Sequence, residues 1–155
     1  MKCYAVIDTN VLVSALLSTS DESATVQIME QLVLGEIIPV YSEEIISEYW
    51  EVLNRPKFSF SQKAITWLLE HIVKFGIAIE PTPTGERLPD MKDLPFYEVV
   101  MEWQERNTYL VTGNLKHFPK RTYIVTARQL LDILIENKSL STDTCQIQIP
   151  NKTSQ

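Results

Sequence analysis

Three carboxylates stand where chemistry is done in α/β proteins. Asp8 closes a short apolar run, Tyr4 to Ile7, and is followed at once by Thr9 and Asn10. Glu48 lies three residues after Ile45 and four before Val52, so it shares or borders an apolar helical stripe. Asp93, with Asp90 in the same short stretch, precedes Leu94-Pro95 and another apolar helical pattern. Asn114, after the run Tyr109 to Val111 and the pair Thr112-Gly113, is a neutral fourth candidate. Several carboxylates cannot share a crevice as anions without a counter-charge: one holds a proton, or together they bind a cation. Hard oxygen ligands favour Mg²⁺ or Mn²⁺, and the two histidines and two cysteines lack zinc-site spacing. Such a centre suits phosphodiester hydrolysis. Each acid taken singly has a plainer reading as a helix cap, and spacing alone brings the metal site level with capping only for the set.

The elements that must position these residues follow from apolar periodicity. Tyr4 to Ile7 predicts a strand buried on both faces, and Val11, Leu12, Ala15 and Leu16 predict a helix directly after it. A second helix through Ala24, Ile28, Met29, Leu32 and Val33 ends at Gly35, and Ile37 to Tyr41 is a second strand. Ser42 caps a third helix through Ile45, Tyr49, Val52 and Leu53, which Asn54-Arg55-Pro56 breaks. A fourth runs through Ile65, Leu68, Leu69, Ile72 and Val73 to Gly76, and Ile77 to Glu80 is a third strand. The proline-rich stretch Pro81 to Pro89 is a loop, and Asp93 is expected to cap a fifth helix through Phe96, Val99, Val100 and Trp103. Glu98 falls off that stripe and reads as solvated. Strands at Tyr109 to Val111 and Tyr123 to Val125 follow, and Thr126 with Gln129 forms a capping box for a last helix. Short apolar strands alternating with helices predict parallel strands with helices on both faces.

One domain accommodates 155 residues, enough to bury roughly 70% of the surface of the unfolded chain. It is expected over residues 1–138, followed by a polar tail, 139–155, in which QIQIP reads as an edge strand or a frayed end. No run approaches the roughly 20 apolar residues of a membrane helix, and the N-terminus lacks a signal-peptide shape, so a cytoplasmic protein without membrane contact is expected. Two distant cysteines agree with a reducing compartment. The net charge of −6 argues against coating nucleic acid by bulk attraction, yet a bound cation reverses the local field felt by a phosphate. Lys116, His117, Lys120 and Arg121 form a local basic group, the candidates for contact with an RNA backbone.

The stretches VIDTNVLVSALL, SEEIISEYWEVLNRPKF, DMKDLPFYEVV and YLVTGNLKHFP, in this order, resemble the PIN domain nucleases. Within them the resemblance is to the branch described as toxin components of toxin–antitoxin systems, over roughly residues 2 to 137. It implies a three-layer α/β/α fold with a central, mainly parallel sheet of four to five strands. It also implies a Mg²⁺- or Mn²⁺-dependent ribonuclease site whose acids fall on Asp8, Glu48 and Asp93, with Asp90 nearby. Thr9, Asn10 and Ser14 match positions that buttress the first acid, and Thr112 and Asn114 join the supporting set. Many members carry aspartate where this chain has Asn114, a weaker, uncharged ligand, although the VTGN form occurs in this branch.

The expected function is a metal-dependent endoribonuclease, the toxin of a toxin–antitoxin pair, with RNA as substrate, a cognate antitoxin as partner and a homodimer left open. A degenerate domain that binds RNA or a protein without cutting is the alternative, favoured by Asn114. A phosphotransfer domain with Asp8 as nucleophile is disfavoured, because such enzymes carry a second aspartate two residues on, where this chain has Asn10.

Overall fold

A computed structural model describes residues 2–153, with side-chain surroundings through residue 140. The first apolar run forms β1, Cys3–Ile7, and Ala5, Val6 and Ile7 are almost wholly buried, as expected of a strand covered on both faces. The chain continues through α1 (Thr9–Leu17), α2 (Ala24–Val33), β2 (Ile37–Tyr41), α3 (Glu43–Leu53), α4 (Gln62–Phe75) and β3 (Ile77–Ala78). Then follow α5 (Leu94–Glu102), β4 (Tyr109–Val111), β5 (Ile124–Val125) and α6 (Ala127–Thr153). The five strands form one sheet in the order β3-β2-β1-β4-β5, and every neighbouring pair is parallel. With its helices the sheet makes the PIN-like α/β/α fold.

The element ends follow local chemistry. Ser42 accepts a hydrogen bond from the Ile45 amide at the start of α3, 3.4 Å. Thr126 and Gln129 close the capping box of α6 in both directions, at 2.9 and 3.2 Å. Gly76 ends α4 where a Cβ would lie 2.4 Å from the Ile72 carbonyl and 2.6 Å from the Pro39 carbonyl, so only glycine fits. The strands at the two edges, β3 and β5, are two residues each and shorter than their apolar runs. Each has a partner on one side only, so pairing stops earlier there.

Two expectations are corrected. The backbone at Gln146 to Pro150 continues the helix of α6 rather than pairing as the expected edge strand; a helix pairs its own amides and needs no sheet partner. Glu98 is not merely solvated. Its carboxylate accepts from the Thr84 amide (2.7 Å) and hydroxyl (3.1 Å) and so ties the proline-rich loop to α5. No helix among the described residues is long and apolar enough to cross a membrane.

Candidate active site

The strand order creates the crevice. After β1 the chain builds outward through β2 and β3, then returns to the other side of β1 with β4, so the order reverses between β1 and β4. The crevice beyond the carboxyl ends of such strands is where open α/β sheets bind ligands. Ile7 pairs in register with Val111, and the Asp8 amide donates to the Val111 carbonyl at 2.9 Å. The residues after the two strands, Asp8 and Thr112, are thereby brought side by side.

Asp8 occupies the N-cap position of α1 but makes no capping bond with its side chain. Its Oδ2 instead accepts from the Thr112 hydroxyl at 2.7 Å and from the Asn10 amide nitrogen at 3.2 Å. Asn10 in turn accepts the Gly113 N–H at 3.1 Å, and Thr112 Oγ1 accepts the Asn114 N–H at 3.0 Å. This network links the two strand ends and orients one carboxylate. Glu48, one turn into α3, accepts a short hydrogen bond from the Thr9 hydroxyl. Asp93 sits at the N-cap position of α5, again without capping, and pairs with His117 Nδ1 at 3.1 Å. Asp90 does the capping there: its Oδ1 accepts the Lys92 N–H at 3.0 Å and holds the 3-10 turn Met91–Asp93 that presents Asp93.

Electrostatics tie the three acids into one neighbourhood. Burial pushes Asp8 up to about 6; the Thr112 hydrogen bond opposes this and the Asp93 charge adds to it. Burial also raises Glu48, against the Thr9 hydrogen bond and with a further push from Asp8. Asp93 is raised by burial, lowered by its bond to His117, and raised again by Asp90 and Glu48. Like charges gathered at buried and half-buried positions, with no lysine or arginine ion-paired to any of the three among the described residues, leave a deficit of positive charge that a cation would fill.

The remaining candidates sort plainly. Thr9, Asn10 and Thr112 contact the acids: the Thr9 hydroxyl bonds Glu48, while its backbone amide steadies the Asp8 carboxylate. The Ser14 hydroxyl shares a 3.2 Å hydrogen bond with Thr25 between α1 and α2, and Ser14 lines a cleft with Thr9 and Asn10. Asn114 is exposed beside the crevice and contributes its backbone amide. His117 is oriented by Asp93, whereas Lys116, Lys120 and Arg121 line a separate cavity towards β5 and α6. The sequence reading took Tyr49 for core alone. Its buried hydroxyl donates to the Ile7 carbonyl, so it locks the end of β1 to α3 directly beneath Asp8 and Glu48. A phenol next to Glu48 in the sequence was the available signal.

The donor set fits a hard divalent cation in its chemistry: carboxylate oxygens, raised towards protonation by burial and then by one another, with hydroxyl and amide groups holding them. Among the described residues no three His, Cys, Asp and Glu side chains close into a single coordination group, so the acids stand apart from one another around the crevice. A family model described as PIN domain matches residues 4–116. The chain therefore belongs to the PIN domain family, a family of nucleases. Comparison with curated proteins returns no match.

Proposed function

We propose that this protein is a Mg²⁺- or Mn²⁺-dependent endoribonuclease and the toxin of a toxin–antitoxin pair. The supporting observation is that Asp8, Glu48 and Asp93 stand around one crevice at the sheet's switch point, each pushed towards protonation by burial and each further by another acid of the set. Asp8, Glu48 and Asp93 would hold the ion, which supplies an activated water and charge neutralisation at the phosphate. The chain's own part is positioning. Thr112 and Asn10 aim Asp8, Thr9 aims Glu48, and His117 holds Asp93. Lys116, Lys120 and Arg121 attract the RNA backbone without reading its sequence.

A second reading, a domain that binds RNA without cutting, has Asn114 and the open spacing of the acids in its favour. Incubation of the protein with mixed RNA in Mg²⁺ or Mn²⁺, with Asp8→Asn as control, decides between them. Metal-dependent cleavage lost in the variant supports the nuclease. Binding with intact RNA in both metals supports the other.

A further inference from the structure

We infer that the cavity between residues 115–122 and α6 is a nucleobase pocket that takes guanine from single-stranded RNA; this rests on the nuclease reading above. The cavity is about 740 Å³, within the roughly 300–1,000 Å³ of small-molecule sites. Its walls are unlike. Lys116, Lys120 and Arg121 come from the segment after β4, and Asp132 and Glu136 from α6. No ion pair among the described residues joins the two groups; Arg121 donates to the Lys120 carbonyl at 3.0 Å and bonds Tyr97, which leaves Lys116 and Lys120 as the cations without an acidic partner here. The floor between them is apolar, with Phe118 and Ile124 buried and Ile133 half-buried.

A ligand that satisfies every wall must be anionic at one end, flat and apolar in the middle, and hydrogen-bond donating at the other end. A nucleotide has that form. Among the bases, guanine presents two adjacent donors, N1–H and the N2 amino group, to a carboxylate. Adenine, cytosine and uracil have no two adjacent donors on that edge, so a carboxylate bonds them at one point at most. The same edge is occupied in a duplex, so only an unpaired base can use it. The pocket also adjoins the acids. Leu115 and Lys116 line it, and His117 of the same turn bonds Asp93. A base held here puts a neighbouring phosphate at the crevice.

The test is a titration of the full chain, labelled at isoleucine methyls, with guanosine, adenosine, cytidine and uridine 5′-monophosphates without divalent metal. Guanosine monophosphate should shift the Ile124 and Ile133 methyls and bind about tenfold more tightly than the others, the scale of one bidentate base contact. Asp132→Asn with Glu136→Gln, both on the exposed side of α6, should erase that preference while the Ile45 and Ile72 methyls stay in place and report an intact fold. Equal responses to all four nucleotides, or none at Ile124 and Ile133, overturn the pocket. An oligouridylate with one guanosine should displace the mononucleotide and its duplex should not; a strand that fails to displace it overturns the assignment to RNA. Cleavage of that strand in Mn²⁺ is scored separately. Cleavage without guanosine selection removes the pocket and leaves the nuclease, whereas guanosine-selective shifts without cleavage remove the nuclease and leave the pocket.

Discussion

Asp8 carries the largest conflict in the molecule between where a residue sits and what it is. It is only 5% exposed, and its carboxyl is raised to about 6, while an unfolded aspartate titrates near about 3.9. Between those values the folded protein keeps a proton that the unfolded chain has lost, so stability falls as pH rises from about 4 to about 6 and the penalty is complete above that. The rise to about 6 corresponds to roughly 3 kcal/mol. Metal-free protein should therefore melt at a lower temperature at pH 7 than near pH 5, and Asp8→Asn should be the more stable protein at pH 7 with a flatter profile; thermal melts across pH check both. Thr112→Val keeps the shape of the side chain but removes the 2.7 Å donor to Asp8. Without that bond Asp8 rises further, so the acid limb of a pH–cleavage profile should move to higher pH in this variant, with the far-ultraviolet spectrum unchanged. Asn114→Asp adds a charged oxygen at the crevice, and cleavage should rise if that position limits metal occupancy.

At the scale of elements, the lesson lies in two helix starts. Asp8 and Asp93 both occupy N-cap positions, where pattern reading assigns a cap, and neither side chain caps. Periodicity locates a helix start to within a residue, but it cannot tell whether the oxygen turns back to the helix amides or outward to a partner 104 residues away, as Asp8 does to Thr112. Asp90 shows the converse: its position in the acidic motif places it as an auxiliary acid, and in the structure it supplies the cap that presents Asp93. The strands were legible because burial on both faces leaves an unbroken apolar run, and β2 and β4 fall on the residues expected. The contacts of Ser14, Glu98 and Tyr49 were not legible, since each joins a different element and only Tyr49's, to Ile7, spans the fold. Gly76 is the element-scale position with the least freedom. Its missing Cβ makes room for the carbonyls of Ile72 and Pro39, both rigid backbone, so Gly76→Ala must displace α4 or β2. It should cost at least about 1–3 kcal/mol, the usual range for overpacking, read as a lower midpoint in urea.

The whole molecule sets acid at the crevice against base beyond it. With a net charge of −6 the chain repels RNA at long range, and the crevice sharpens that repulsion until a cation enters. Millimolar Mn²⁺ should raise Tm by mass action, and the gain should shrink in Asp8→Asn, because a carboxylate freed of like-charge repulsion is what the ion rewards. The fold-level resemblance carried by four sequence stretches matches the parallel sheet and the family, since both depend on residues at strand ends that the chain order alone brings together. Cutting and holding are separable on this layout. Asp93 stands at the crevice, whereas Lys116, Lys120 and Arg121 surround the neighbouring cavity. Asp93→Asn should abolish cleavage yet leave RNA affinity equal or better, because one negative charge near the phosphate is gone. Replacing the three cations together should do the reverse: binding weakens, the dependence of log K on log salt flattens by about 2–3 in slope, and turnover falls mainly at low RNA concentration. Anisotropy titrations over a salt series, paired with single-turnover cleavage, read both effects. Equal loss of binding in the two variants would show that acids and cations form one inseparable surface, and the division of labour argued from their positions would fail.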